Sequence, residues 1–262
     1  MKREERHTQI VEQLYHQDSI SVESLANKFE VSQETIRRDL TILAEAGLLR
    51  KVHGGAVRLQ TAHEDTFALR SQVNRPAKEA IGRYASEFIS HGDSLFINAG
   101  TTTNIFAKYL LDKTDLTVVT NCASVAETVW QEDGSTNQIF LLGGKYNGTD
   151  TETQGSLLLK QLRLFHTDHA FVTLGAVDAN NGFMEYRVEA ADIIRAMFQQ
   201  ARRTTVLADS TKVDHAILVK ICDLGDVDRL ITDLPPSSDL QIALDEADVE
   251  LHITETPMRQ GN

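Results

Sequence analysis

Residues 32–40 read Ser32-Gln33-Glu34-Thr35-Ile36-Arg37-Arg38-Asp39-Leu40, and this stretch decides how the first sixty positions fold. Ser32 follows a tight break and is a natural N-cap, because a serine hydroxyl accepts from the amides of a helix's first turn. Ile36, Leu40 and Leu43 then recur at i, i+4 and i+7, the apolar stripe of one helix face. With that stripe inward, Gln33, Arg37 and Thr41 share the outward face and Arg38 flanks it. Such side chains reach base edges or phosphates, and Thr35 in the first turn joins them as a candidate contact.

Upstream, Ile10, Val11, Leu14 and Tyr15 form one stripe of a helix over 6–15. Ser21 precedes a shorter helical pattern with Val22, Leu25, Ala26 and Phe29 inward. Downstream, Gly47 ends the third helix. Residues 48–52 and 56–59 are β-prone runs around His53-Gly54-Gly55, which is hairpin-turn chemistry. The hairpin reads as a basic wing, with Arg50, Lys51 and His53 as candidate DNA contacts. Three helices and a wing are expected over residues 1–58.

Charge separates this segment from the rest. The chain of 262 residues carries a net charge of −12, which as a whole argues against nonspecific polyanion binding. Residues 1–58 hold nine basic and nine acidic side chains, so the remainder carries the full deficit. With 41% hydrophobic and 24% charged residues the chain is globular and no disordered polymer. No apolar run approaches the ~18–20 residues that span a bilayer, and the N-terminus has no secretory stretch. A cytoplasmic location without membrane partners is expected. Cys122 and Cys222 are too few for a disulfide framework or a cysteine-based zinc site. His166, Asp168 and His169 bring no third ligand pair with metal spacing, so neither metal nor cofactor is expected.

Residues 59–75 are polar and weakly periodic and read as a linker. Pro76 opens a helix with Ala80, Ile81, Tyr84, Ala85 and Phe88 inward. Apolar β-type runs then alternate with helical ones: strands at 94–98, 116–120, 139–142, 170–174, 205–208 and 229–232, with helices around 105–110 and 123–130. That alternation specifies a parallel sheet wrapped by helices over residues 76–255; the last few residues read as a frayed tail.

In such sheets ligands bind where strands end and helices begin, because the free amides and helix dipole there attract anions. Gly100-Thr101-Thr102-Thr103 follows the first strand and offers close backbone approach plus hydroxyl donors; the same residues also suit a plain strand-to-helix turn. Gly143-Gly144-Lys145 ends another strand and is either a turn or a set of amides beside one ammonium. Asp209-Ser210-Thr211-Lys212 offers an acceptor for sugar hydroxyls and a cation for phosphate, or else an Asp-capped turn with a solvated lysine.

Both parts resemble the deoxyribose-operon repressor (DeoR) family of bacterial regulators. The N-terminal likeness rests on Arg6 and Ile10, on Ser32-x-x-Thr35-Ile36-Arg37-Arg38-Asp39-Leu40, on Gly47-Leu-Leu, and on the wing His53-Gly54-Gly55-Ala56. The C-terminal likeness runs from about Lys78 to Asp233, through Gly100-Thr-Thr-Thr, Thr120-Asn121, Gly143-Gly144, Gly175-Ala-Val-Asp178, Gly182, Asp209-Ser-Thr-Lys212 and Leu230-Ile-Thr-Asp233. It implies a winged helix-turn-helix followed by a Rossmann-like sensor domain similar to ribose-5-phosphate isomerase. It also places a basic pair, Arg70 and Lys78, beside the ligand site, with Asn121 near it. Cys122 stands where the family commonly has serine, and Glu185-Tyr186-Arg187 falls in a segment that varies between members.

The expected function is a transcriptional regulator, a repressor of a carbohydrate operon, that binds double-stranded operator DNA as a homo-oligomer, dimer or tetramer, and answers to a phosphorylated sugar or polyol. The alternative is a sugar-phosphate isomerase with an appended DNA-binding domain. Such an enzyme needs a carboxylate base and a cation for its enediolate. Glu189 suits the base, an acceptor for ligand hydroxyls, or a plain helix-surface acid. The position corresponding to the enzymes' lysine is Asn180, which carries no charge, so no enzymatic activity is expected.

Overall fold

The computed structural model describes residues 2–17, 19–45, 48–57, 67–130 and 136–254. It forms two compact units, Met1–Asn74 and Arg75–Asn262.

The first unit contains α1 (Arg3–His16), β1 (Ser19–Ser21), α2 (Val22–Phe29), α3 (Gln33–Glu45), β2 (Arg50–Val52), β3 (Gly55–Val57) and α4 (Phe67–Gln72). The serine caps form as the sequence specifies: Ser21 Oγ accepts from the Ser24 amide at 3.1 Å, and Ser32 Oγ from the Thr35 amide at 3.2 Å. The wing strands β2 and β3 are antiparallel and turn at Gly54, whose φ of +86° suits glycine. They gain a third strand the sequence reading lacks, β1, in the order β1-β3-β2. A Cβ on Gly55 would stand 2.0 Å from the Ile20 carbonyl oxygen, so glycine there is the condition for β1 to pair with β3. Ile10, Leu14, Leu25, Phe29, Ile36, Leu40, Leu43, Leu49 and Ala56 make one apolar core.

The linker reading is corrected at its C-terminal end. Residues 67–72 form helix α4, and Val73 is buried in the N-terminal core. One buried valine anchors a single short helix, a signal too small to show as periodicity in a polar stretch. Gly47 and residues 58–66 and 255–262, the last including the expected tail, lie outside the described residues.

The second unit opens with α5 (Arg75–Ser86), β4 (Ser94–Ile97), α6 (Thr101–Lys108), β5 (Thr117–Thr120), α7 (Ala123–Val129) and β6 (Gln138–Leu141). A hairpin of β7 (Lys145–Asn147) and β8 (Glu152–Gln154) leads to α8 (Ser156–Leu162) and β9 (Thr167–Val172). Then come β10 (Ala176–Asp178), β11 (Gly182–Glu185), α9 (Val188–Gln199), β12 (Ala201–Leu207), β13 (Val219–Cys222), β14 (Arg229–Thr232), α10 (Ser238–Glu246) and β15 (Glu250–Ile253).

Seven strands form a wholly parallel sheet in the order β15-β14-β12-β9-β4-β5-β6. Its strands alternate sides residue by residue. Leu95, Ile97, Val118 and Phe171 pack with Ile81, Phe106 and Val125 of α5, α6 and α7. Phe96, Val119, Val172 and Val206 pack with Leu158, Ile194 and Leu240 of α8, α9 and α10. Burial on both faces is why these strands read as continuous apolar runs. The chain is therefore an α/β protein, an N-terminal winged helix-turn-helix followed by a Rossmann-like parallel sheet. The small antiparallel sheet β10-β11-β13 and the β7–β8 hairpin were not legible, their strands being only 3 or 4 residues long.

Candidate functional site

The first unit presents its candidate side chains to solvent. Ile36, Asp39, Leu40 and Leu43 bury one face of α3. On the other face Gln33, Arg37 and Arg38 are exposed, and Thr35 and Thr41 half-buried. Arg37 Nη2 donates to Gln33 Oε1 at 3.1 Å, and Glu34 lies 3.7 Å from both Arg37 and Arg38. Arg50, Lys51 and His53 of the wing are exposed, and Lys51 Nζ donates to Thr41 Oγ1 at 2.8 Å, tying wing to helix. Every DNA candidate thus falls on α3 or the wing. The sequence reading passed over Asp39 and Arg6 as site residues: Arg6 Nε donates to Asp39 Oδ2 at 2.6 Å, with both residues buried.

Gly100 to Thr103, Asn121, Gly143, Gly144 and Asp209 of the second unit follow strands of the parallel sheet at their carboxyl ends. From β4 the chain runs one way to β5 and β6, and from β9 the other way to β12, β14 and β15. The order reverses between β4 and β9, where open parallel sheets have their crevice. The loops after these two strands interlock: Asn98 Nδ2 donates to the Thr173 carbonyl at 2.8 Å and Oδ1 accepts the Thr173 amide at 2.9 Å. Gly100 passes so close that a Cβ would lie 2.0 Å from Thr173 Cγ2. Its φ of 172° is ordinary extended backbone, so the space, not strain, selects glycine. Thr101, Thr102 and Thr103 follow as the buried first turn of α6, where helix amides lack intrahelical partners. Thr103 Oγ1 donates back to the Asn98 carbonyl at 2.8 Å.

A buried charge cluster follows β12 and β14. Lys78 of α5, 3% exposed, has its Nζ 3.7 Å from Oδ2 of Asp209, which is 1% exposed and follows β12. Asp209 Oδ1 also accepts from the Thr211 amide and hydroxyl, at 3.1 and 2.5 Å. Asp233, after β14, takes the Ser210 amide at 2.6 Å. Burial pushes the Asp233 carboxyl up, and the Asp209 charge adds to that against the Ser210 hydrogen bonds. Lys212 is half-buried with its ammonium 5.8 Å from the centre of the Tyr186 ring.

The remaining candidates take other places. Asn121 braces two loops, Oδ1 accepting the Ala99 amide and Nδ2 donating to the Thr153 carbonyl, each at 3.1 Å. Gly143, Gly144 and Lys145 follow β6, the edge strand two removed from β4. A Cβ on Gly144 would meet the Gln154 carbonyl oxygen at 2.6 Å, which gives that glycine a packing reason of its own. Glu189 is exposed on the first turn of α9. Arg70 belongs to α4 of the first unit, its guanidinium 5.6 Å from the Phe67 ring centre. Asn180 is exposed in the β10–β11 turn, its amide bound by Asp178 at 2.8 Å. The ion pair of Arg187 with buried Glu152, at 2.9 Å, was missed: the two residues lie 35 apart in sequence, on segments whose elements are too short to predict.

The pattern of the DeoR-like helix-turn-helix domain matches residues 6–62, and that of the DeoR C-terminal sensor domain matches residues 73–234. The chain belongs to the DeoR family. Its DeoR-family relatives include the glycerol-3-phosphate regulon repressor of Escherichia coli (strain K12), 30% identical over 97% of this chain and 100% of that one. The HTH-type transcriptional repressor GlcR of Bacillus subtilis (strain 168) is 32% identical over 97% and 98%. Among solved structures, ribose 5-phosphate isomerase A from Methanocaldococcus jannaschii is similar at a TM-score of 0.39, 12% identical over 53% of this chain and 54% of that one. This DeoR-family member is a DNA-binding transcriptional regulator.

Proposed function

We propose that the chain is a repressor of a carbohydrate operon whose hold on operator DNA is set by a phosphorylated sugar or polyol bound in the crevice between β4 and β9. The observation that carries this reading is that the loops after parallel strands of one sheet hold buried polar groups, the first turn of α6 from Gly100 to Thr103 after β4 and the Lys78–Asp209 pair after β12. Amides, hydroxyls and the positive helix end suit a phosphate, Lys78 and Lys212 add charge, and Asp209 accepts sugar hydroxyls. Of the other candidates, Asn121, Gly143 and Gly144 serve structural contacts, Lys145 and Glu189 are exposed, and Arg70 belongs to the first unit. Relatives named for glycerol-3-phosphate regulation agree with this effector class.

A dianionic phosphate forms several charge-assisted hydrogen bonds of about 1.5–3 kcal/mol each before desolvation, whereas a neutral sugar forms few. Phosphorylated ligands are expected to bind at least about a hundredfold more tightly than their parents, equivalent to about 2.7 kcal/mol. Calorimetry against a panel of sugar phosphates and free sugars tests this. Thr102→Val and Lys212→Ala should erase most of the difference, and a free sugar binding as well as its phosphate would refute the effector class.

The protein is a switch and no enzyme in this reading. The polar loop at Asn180 brings no cation to hold an enediolate. A bound aldose phosphate in deuterated water should keep its C2 proton, and multiple-turnover exchange would overturn the assignment. Two or more copies act together, because one winged module buries little DNA surface and paired modules match repeated half-sites. Sedimentation of the full chain should give a dimer or tetramer.

A further inference from the structure

A carboxylate belongs in water, yet Asp39 is 3% exposed on the core side of the recognition helix α3, between Ile36 and Leu40. It takes two hydrogen bonds from Arg6 of α1, Nε to Oδ2 at 2.6 Å and Nη2 to Oδ1 at 3.2 Å. Arg6 is itself 7% exposed. His7 Nε2 lies 2.8 Å from Oδ1, and since a carboxylate only accepts, the imidazole donates. Three donors from one turn of α1 thus meet one side chain of α3.

Stability alone does not call for this arrangement. Buried ion pairs are commonly replaced by apolar side chains of similar volume without loss, and often with a gain. What apolar residues do not supply is direction. Ile36, Leu40 and Leu43 let a helix roll or slide while burying nearly the same area, whereas a forked guanidinium–carboxylate pair accepts one orientation. Functional side chains must be held within about 0.5 Å and 10–20° of their working geometry. On α3 those side chains are near neighbours: Arg37 and Thr41 stand two residues either side of Asp39, on the opposite face.

We infer that Asp39 is a positioning residue for sequence reading, clamped by Arg6 and His7 so that Gln33, Arg37 and Thr41 meet the base edges in one fixed register. Arg38, Arg50 and Lys51, assigned to phosphates in this reading, depend far less on that register, because long exposed side chains follow a backbone phosphate through small displacements and phosphate contacts carry no sequence information. The clamp therefore governs discrimination between sequences and leaves general DNA affinity nearly alone.

The test uses the full chain with two duplexes: the one the parent protein selects most strongly from a randomised pool, and a scrambled version of it. The double variant Arg6→Met/Asp39→Leu should keep the parent's urea midpoint or exceed it. Its affinity ratio between the two duplexes should fall at least tenfold, with scrambled-duplex affinity within about twofold of the parent. An unchanged ratio in the folded double variant overturns the inference, and so does an equal loss on both duplexes. If the double variant does not fold, Arg6→Lys and Arg6→Met decide. Lysine, keeping the charge and losing the fork, should give a ratio between those of the parent and Arg6→Met, and ratios equal to the parent's in both overturn it.

Discussion

The two units of this regulator handle their chemistry oppositely. In the winged helix-turn-helix the side chains proposed to meet DNA stand in water: Gln33, Arg37, Arg38, Arg50 and Lys51 are all exposed, over a separate apolar core. In the sensor unit the groups proposed to meet the effector, Lys78, Thr102 and Asp209, are buried. A DNA duplex is large and brings its charges to a surface, so exposed cations suffice. A small ligand must be enclosed, so its partners are part of the packing. Substitutions should therefore separate binding from stability in the first unit and couple them in the second.

The largest effect should come from Lys78→Met. Removing the cation strands the buried Asp209 carboxylate, and such losses run at about 3–5 kcal/mol. Trp130, the one tryptophan of the chain, lies in the sensor unit and reports its unfolding in urea by fluorescence. Random-duplex binding should stay at the parent's level, and an unchanged midpoint would break the contrast between units. Next, Gly100→Ala forces a Cβ to 2.0 Å from Thr173 Cγ2 and should cost about 1–3 kcal/mol in the same assay. Thr173→Ser removes that methyl and should recover most of the loss, which separates overpacking from a backbone effect.

Arg37→Ala should cost about 1–3 kcal/mol in binding the selected duplex while leaving thermal stability within about 0.5 kcal/mol of the parent. A matching fall in both would mean the recognition face is part of the core.

Acid should also tell the units apart. Burial raises the Asp39 carboxyl, but hydrogen bonds and charge from Arg6 and His7 outweigh it and hold the group below its usual range. Its contribution is present above the unfolded value near 3.9 and is lost as pH falls through the lower folded value. Asp233 is raised instead, first by burial, so its charge costs stability above the folded value, and that cost disappears below the unfolded one. Asp233→Asn should raise the sensor unit's urea midpoint near pH 7 and not near pH 3. A rise of equal size at both would show that the charge is not the cause. The smallest expected change is in Lys51→Ala, which should weaken selected and scrambled duplexes alike and lower the salt slope by about one.

The winged helix-turn-helix was legible in the sequence because a helix and a two-strand wing are local. The apolar stripe of α3 fixes which residues point outward, and neighbours three or four apart meet on that face without help from the rest of the chain. Arg6 and Asp39 are 33 residues apart, and no periodicity connects them. The crevice was half legible. Gly100 to Thr103 announced a strand-to-helix turn, but Asn98 and Thr173 lie 75 apart, and only the sheet order brings their loops together. Gly144, read either as a turn or as a ligand loop, has a packing reason in its close approach to Gln154, which local pattern does not display.

Local patterning by itself determined the winged helix-turn-helix, the alternation of strand and helix, and which face of α3 is exposed, since each depends on periods of two to four residues and on capping chemistry. Tertiary structure decided the rest: the reversal of strand order between β4 and β9, the burial of Lys78 against Asp209, and the tie from α1 to the recognition helix. These pair groups far apart in the chain, and which pairs meet is set by how apolar faces stack. The aliphatic residues that do the stacking contain no record of the partners they bring together.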